Sequence, residues 1–316
     1  MQSKTRVGFV GLGHAGWPMC ANLVKAGYDV VVHDVDWERT QAFAEEHRCD
    51  AADSPQRLAG VEVVITMLPN GRVVREVMTG TEPIADVLDA GAIVIDTSSS
   101  DPEGTRELGA ELAERGLVLL DAPVTMQELG GAAKAQITIM VGGDDEDALG
   151  RAEPVLSAMC SHLFRVGPLG AGHATKTLNN YVSAAGLVAA LDALVIGHRY
   201  GLDAETTLAV LNVGTGRNFS TAHALPQEAL TRRYATGFSL ALLIKDLGIA
   251  RDLANAMECD TELAELLRRR FAEALDALGG DPDHTEALRH WEQRGDIELP
   301  TTSAGESAPV GTRSNQ

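Results

Sequence analysis

The sequence predicts an α/β protein in two parts: a doubly wound parallel sheet, then an all-helical domain, joined through a long central helix. Three observations carry this. Over the first half, short apolar runs alternate with helical patterns, and each run stops at a small polar cluster. A glycine-rich turn stands between the first run and the first helix. Beyond about residue 173 no proline interrupts the chain until Pro226, and Leu178, Tyr181, Val182, Ala185, Val188, Ala189, Leu191 and Val195 recur at helical spacing. Strands joined by crossover helices run parallel, and such sheets bind ligands at the carboxyl ends of their strands.

Residues 6–10 form the first strand, and Gly11-Leu12-Gly13-His14-Ala15-Gly16 follows at once. Met19, Leu23 and Val24 then mark a helix that ends at Gly27. In that context the G-x-G-x-x-G spacing is the form that receives a dinucleotide. Glycines allow a tight turn, and a pyrophosphate can approach the unpaired N–H groups at the helix start. The sheet is therefore of Rossmann type. A second strand at 29–33 leads to Asp34, 18 residues past Gly16. A carboxylate there accepts hydrogen bonds from both hydroxyls of an adenosine ribose. A 2′-phosphate in that place would meet Asp34, Asp36 and Glu38, and no arginine stands before Arg39. NAD rather than NADP is the expected cofactor.

Further strands are expected at 62–67, 92–95 and 117–120, stopping at Leu68-Pro69-Asn70, Asp96-Thr97-Ser98-Ser99 and Asp121-Ala122-Pro123 respectively. A helix over 103–115 starts behind Asp101-Pro102; a strand at 136–143, a helix at 146–159 and a last strand at 163–166 follow. The first domain is expected to cover 1–166. After the central helix come helical segments at 204–211 (capped by Asp203), 222–232, 239–257, 261–278 and 284–293, giving an all-helical domain over 167–296. From 297 to 316 the chain is polar and aperiodic, which predicts a disordered tail.

Roughly 28 residues of central helix make a rod about 40 Å long, suited to the seam between two domains. Lys176 and Asn180 sit four residues apart near its start and project from one face. Ala, Leu and Val surround them. Apolar surroundings lower a lysine's pKa toward neutrality, which proton transfer needs; a solvated lysine beside an asparagine is the plainer reading of this stretch alone.

At 316 residues, 45% hydrophobic and 22% charged, the chain has the composition of a globular protein with a substantial core. Its formal charge of −19 argues against nucleic-acid or anionic-membrane partners, though not against an anionic small ligand in a locally basic pocket. Cys20, Cys49, Cys160 and Cys259 lie far apart, as expected of reduced, buried thiols in a cytoplasmic protein. None of the nine histidines has a metal-ligand spacing, so no metal is expected. No stretch reaches about 18 uninterrupted apolar residues, so no membrane span is expected. A homodimer or homotetramer is the expected assembly.

These motifs together resemble the β-hydroxyacid dehydrogenases, the family of 3-hydroxyisobutyrate dehydrogenase and tartronate semialdehyde reductase, over nearly everything from residue 6 to residue 294. GLGHAGWPMCANLVKAG is similar to the family's dinucleotide loop, which implies cofactor contacts by Gly11, Leu12, Gly13, His14, Ala15 (where the family has Met) and Gly16. TMLPN resembles the cofactor-contacting loop, here Met67, Leu68 and Pro69. DTSSSDP resembles the segment that holds the nicotinamide end, with Ser99 where threonine is usual. DAPVT, opening at Asp121, resembles the substrate-binding signature. GAGHATKTLNN is similar to the catalytic signature, which puts the general acid/base on Lys176 and the substrate-binding asparagine on Asn180. FSLALLIKDLGIA resembles the motif whose lysine reaches the cofactor and substrate, here Lys245, with Asp246 beside it. The resemblance implies an NAD-dependent enzyme that interconverts a β-hydroxy acid and its semialdehyde or keto acid.

The sequence also departs from that family. Ser-Gly-Gly is usual after DAPV; Thr125-Met126-Gln127 stands here, with one residue more before Gly130-Gly131. Met126 and Gln127 remove backbone freedom and add two side chains to the expected substrate pocket beside Thr125. This motivates an alternative, a reductase of a bulkier aldehyde, ketone or imine. The retained Lys176 and Asn180 speak against the imine reading; a second alternative, a non-enzymatic NAD-binding module, has the retained Lys176 and the acidic composition against it.

Overall fold

A computed structural model of the protein describes residues 5–126 and 130–301. Internal contacts divide it into two compact units, Met1–Lys176 and Thr177–Gln316.

The first unit is built on one sheet. Its strands are β1 (Arg6–Val10), β2 (Asp29–His33), β3 (Asp50–Ala51), β4 (Val63–Thr66), β5 (Ile93–Asp96), β6 (Val118–Asp121), β7 (Val124–Met126), β8 (Ile137–Gly142) and β9 (His162–Gly167). The order β3-β2-β1-β4-β5-β6-β8-β7, with β9 also on β8, is parallel from β3 to β6. The doubly wound sheet is thus present, but its far edge is mixed. β8 runs antiparallel to β6 and β7, and only β9 returns parallel to it. The physical reason is the connection: a parallel neighbour needs a crossover of about a dozen residues or more, usually a helix. Between Met126 and Ile137 the described residues hold only one short 3₁₀ turn, Gly131–Lys134.

Alternate residues of the central strands feed two cores. Val63, Ile65, Ile93 and Ile95 join Phe9, Met19, Leu23 and Phe43 on one face, while Val64 and Val94 join Leu58, Val74, Met78 and Leu112 on the other. Helices α1 (Gly16–Ala26), α2 (Trp37–His47), α3 (Gly71–Thr79), α4 (Pro102–Ala113) and α5 (Glu146–Ser157) flank the sheet. Asp36, Asn70, Asp101 and Asp145 cap the last four, each accepting from the N–H three residues on.

Helix α6 (Ala171–Tyr200) starts in the first unit and continues in the second, followed by α7 (Ala204–Val213), a π-helix (Ser220–Ala229), α8 (Leu240–Ala256), α9 (Glu262–Leu278) and α10 (Ala287–Gly295). Leu187, Leu191 and Leu194 of α6 pack with Leu208, Leu240, Leu247, Phe271 and Trp291 into the core of the second unit. Among the described residues α6 is the one helix long and apolar enough to cross a membrane by length and composition alone, although polar residues interrupt its apolar runs. The segment expected as an α-helix at 222–232 is instead widened to π geometry, with Leu230 N on Leu225 O. Pro226 lies inside it and has no N–H to give an α-helical bond. The chain also stays packed beyond 297. Leu299 is buried, donating its N–H to Glu292 and accepting from Arg232. Residues 302–316 of the expected tail lie outside the described residues. Of the four cysteines only Cys20 is buried; Cys49 and Cys160 are half-buried, which still pushes their thiols up to about 11, and Cys259 is exposed, correcting the expectation of four buried thiols.

Candidate active site

The glycine-rich turn lies at the carboxyl edge of the sheet, and packing dictates two of its three glycines. Gly11 has φ +100°, and a Cβ there would stand 2.3 Å from the Met67 carbonyl oxygen; one on Gly16 would stand 2.0 Å from Gly11 O. Gly13 is different. A Cβ on it would meet no protein atom within 4 Å, so internal packing does not demand glycine there, whereas close approach of a ligand backbone does. Helix α1 has no side-chain cap at Ala15 and no acid in its first turn; Trp17 N is already on Gly13 O and Pro18 has no N–H, so an anion would meet the backbone N–H groups of the turn itself, from Gly13 to Gly16. His14 beside Gly13 is exposed, and Leu12 is buried beneath.

Asp34 ties the end of β2 to this turn. Its Oδ2 accepts from Leu12 N at 2.6 Å and its Oδ1 from Asp36 N at 2.8 Å, with Arg39 Nη1 3.7 Å away. Each oxygen keeps a second lone pair, so the carboxylate can hold the turn and still accept from a ribose. The loops after β4 and β5 are laced together in the same way. Leu68 N donates to Ser98 Oγ at 2.9 Å, Thr97 Oγ1 to Thr66 O at 2.6 Å, and Thr66 Oγ1 to Asp96 Oδ1 at 2.8 Å. Met67 and Leu68 are half-buried, Pro69 is exposed and Ser99 is half-buried among buried Ser98 and Ser100. The structure therefore gathers Gly11–Gly16, Asp34, Met67–Pro69 and Ser99 on adjoining strand ends, and their backbone groups and small hydroxyls fit a dinucleotide.

The segment carrying Lys176 is fixed from below. Gly170 N and His173 N donate to Asp121 Oδ1 and Oδ2 at 2.8 and 2.7 Å. A helix usually draws such a bond from its own N-cap side chain. Here the N-cap is Gly170, with φ +91°, and the carboxylate comes from the end of β6. Gly172 makes this possible, because a Cβ there would stand 2.4 Å from Met140 O and 2.8 Å from Asp121 Oδ2. Lys176 follows one turn later, half-buried.

Thr125 and Met126 close β7, opposite Thr138 and Ile137. Successive strand residues face opposite sides, so Thr125 shares a face with Thr138 while Met126, 40% exposed, lies on the side of buried Val124. The two do not line one surface as neighbours. Gln127 lies outside the described residues.

In the second unit, Asn180 Nδ2 donates to Asp246 Oδ2 at 2.6 Å, and Asn180 Oδ1 accepts from Asn179 Nδ2 at 3.1 Å. Lys245 Nζ pairs with Asp246 Oδ1 at 3.2 Å. Asn180 and Lys245 thus share Asp246, which is buried and was visible in the sequence only as the neighbour of Lys245. Asp96, Asp121 and His173 are further participants that spacing did not single out. Among the described residues no His, Cys, Asp or Glu grouping could hold a metal ion.

A turn exposed at Gly13 and His14, before a helix with no side-chain cap and beside an acid that touches its backbone, defines the class of protein: a dinucleotide-binding protein of Rossmann type. Residues 6–167 match the model of the NAD-binding domain of 6-phosphogluconate dehydrogenase, and residues 170–291 match that described as NAD-binding of NADP-dependent 3-hydroxyisobutyrate dehydrogenase. The mitochondrial 3-hydroxyisobutyrate dehydrogenase of Mus musculus is 35% identical over 86% of this chain and 82% of its own. The 2-(hydroxymethyl)glutarate dehydrogenase of Eubacterium barkeri is 31% identical over 93% and 97%. A solved Mycobacterium tuberculosis 3-hydroxyisobutyrate dehydrogenase with L-serine superposes with a TM-score of 0.82 at 34% identity, over 91% of this chain and 99% of that one. The chain belongs to the 3-hydroxyisobutyrate dehydrogenase family of hydroxyacid dehydrogenases, and its cofactor is a nicotinamide dinucleotide. These relatives do not favour a non-enzymatic module or an imine reductase.

Proposed function

We propose that the protein oxidises a β-hydroxy acid to its semialdehyde or keto acid, or runs the reverse, with NAD as cofactor and Lys176 as the general acid/base. One observation carries the assignment of Lys176: it rides on the helix turn that Asp121 pins at two N–H groups, four residues before Asn180 on the same helix. When bound, the nicotinamide exchanges hydride with the alcohol carbon. Lys176 handles the proton. As the amine it takes the hydroxyl proton in oxidation, and as the ammonium it returns one in reduction. Asn180, oriented by Asp246, holds the reacting oxygen in line. Thr125 and the backbone beside it receive the substrate carboxylate, and Lys245, paired with Asp246, is the lysine that the family resemblance assigns to substrate and cofactor. In Lys176→Ala, turnover should fall at least about 100-fold while NADH binding stays within about twofold. Wild-type-like turnover in the folded variant would remove Lys176 from this role.

NAD is favoured over NADP because Asp34, Asp36 and Glu38 would face a 2′-phosphate, and Arg39 is already paired with Asp36 at 3.2 Å. Met126 and Gln127, standing where the family has glycines, favour a substrate with a longer or polar substituent over 3-hydroxyisobutyrate itself. A relative that acts on 2-(hydroxymethyl)glutarate supports a substrate of that kind.

The functional unit is read as a cytosolic homo-oligomer, two copies meeting on the apolar face of α6. Leu178, Val182, Ile196 and Tyr200 are each more than half exposed along that helix. An apolar stripe on a chain of net charge −19 suits a copy of itself better than an anionic membrane surface.

A further inference from the structure

We propose that His173 is the positioning residue for Lys176: its buried ring sets the rotation of the first turns of α6 and thereby the place of the lysine amine. The proposal rests on Lys176 being the general acid/base. His173 is fully buried, and three elements converge on it. From α4, Thr105 Oγ1 lies 2.8 Å from its Nδ1; from the end of β5, Asp96 Oδ2 lies 3.6 Å from its Nε2; from the end of β6, Asp121 Oδ2 accepts its backbone N–H at 2.7 Å and lies 3.7 Å from Nδ1.

The hydrogen-bond count gives the ring its orientation. Thr105 has one hydroxyl proton, and it is directed to Asp101 O at 2.8 Å. Thr105 Oγ1 must therefore accept from His173, so Nδ1 carries the proton. Asp101 and Asp96 bracket the segment holding Ser98, Ser99 and Ser100, whose hydroxyls and N–H groups bind Asp96 in turn: Ser98 N to Oδ1 at 3.0 Å and Ser100 Oγ to Oδ2 at 2.8 Å. The imidazole thus ties α4, through the Thr105 bond, to the helix that carries Lys176, while its Nε2 lies beside Asp96 without a hydrogen bond.

Asp121 alone would not fix the rotation. Its two bonds lie at the tip of the helix, where they set axial position and satisfy N–H groups. A side chain three residues before Lys176 lies on the same face, and clamping that side chain fixes the angle about the axis. The lever is short and sensitive. Side-chain ends ride about 5–6 Å from a helix axis, so a roll of about 10° moves them about 1 Å. A misplacement of that size can cost about 100-fold in rate. No proton need pass through His173 for this; it acts only through the lysine.

A double-mutant cycle tests the proposal, read as single-turnover hydride transfer with NADH binding measured in parallel. His173→Leu, which keeps the volume but loses the donor, should slow hydride transfer about 10- to 100-fold with NADH affinity within about twofold. His173→Asn, which keeps a donor at the Nδ1 position, should stay within about threefold of wild type. Thr105→Val removes the same bond from the other side and should slow transfer in the same direction, which covers the case of a poorly folded His173→Leu. In a Lys176→Ala background, His173→Leu and Thr105→Val should each change the residual rate by less than about twofold. Equal losses in both backgrounds, a loss that His173→Asn does not restore, or no loss at all would overturn the positioning role. Failure of the acid/base reading has a separate signature, full activity in Lys176→Ala by itself.

Discussion

Removing the Asp121 carboxylate should unseat the start of α6. Its two oxygens accept from Gly170 N and His173 N at 2.8 and 2.7 Å, and the side chain is fully buried. Hydrogen bonds to a charged acceptor contribute about 1.5–3 kcal/mol each, and a carboxylate at a helix N-terminus adds about 0.3–1 kcal/mol. Against this stands the desolvation of the buried charge, which its removal relieves. The net loss for Asp121→Ala should be about 3 kcal/mol. Asp121→Asn should recover little of it, because one end of the amide is a donor facing a donor. Hydrogen exchange reads the effect locally: about 3 kcal/mol corresponds to roughly 100-fold faster exchange in a peptide spanning 168–180, with α1 and α9 unchanged as internal controls. Full protection of that peptide in Asp121→Ala would refute the capping argument, as would an Asp121→Asn protein as well protected as wild type.

The cofactor edge makes its own demand. NAD should exceed NADP in kcat/KM by at least about tenfold, and Asp34→Ser with Val35→Arg should erode that preference; equal use of both by the wild type would end the argument from Asp34. Because Asp34 also accepts from Leu12 N, this variant should weaken NAD binding as well as alter choice. Met126→Gly should change the ranking of hydroxy-acid substrates if the side chain reaches them; efficiencies that fall together with the order intact would make β7 scaffolding only. Ile196→Asp, on the exposed face of α6, should lower the mass seen by light scattering to that of a single chain without unfolding it, and an unchanged mass would move the interface elsewhere.

Much of the fold was written in local pattern. The apolar runs at β1, β2, β4, β5 and β6 each end in turn chemistry, and helix caps such as Asp101 and Asp203 stand where a backbone N–H needs an acceptor three residues on. Those signals depend on a few neighbouring residues, so they survive without knowledge of the rest. The direction of β8 does not. ITIMVG reads like any buried strand; its antiparallel pairing follows from the short connection after β7, in which the described residues hold only one 3₁₀ turn. β3, two residues long, has no periodicity to detect.

By itself the sequence determined the glycine-rich turn, the acid after the second strand, the long helix and the lysine on it, because each is a spacing along one strand, turn or helix. Tertiary structure decided what holds them. The cap of α6 comes from Asp121, 49 residues before Gly170; the clamp on His173 comes from Thr105, 68 residues away; and Asn180 is oriented by Asp246, 66 residues on. Such partners carry no periodic or spaced signature. A buried polar group must be satisfied by whatever donor or acceptor folding brings beside it, and that neighbour is chosen in space rather than along the chain.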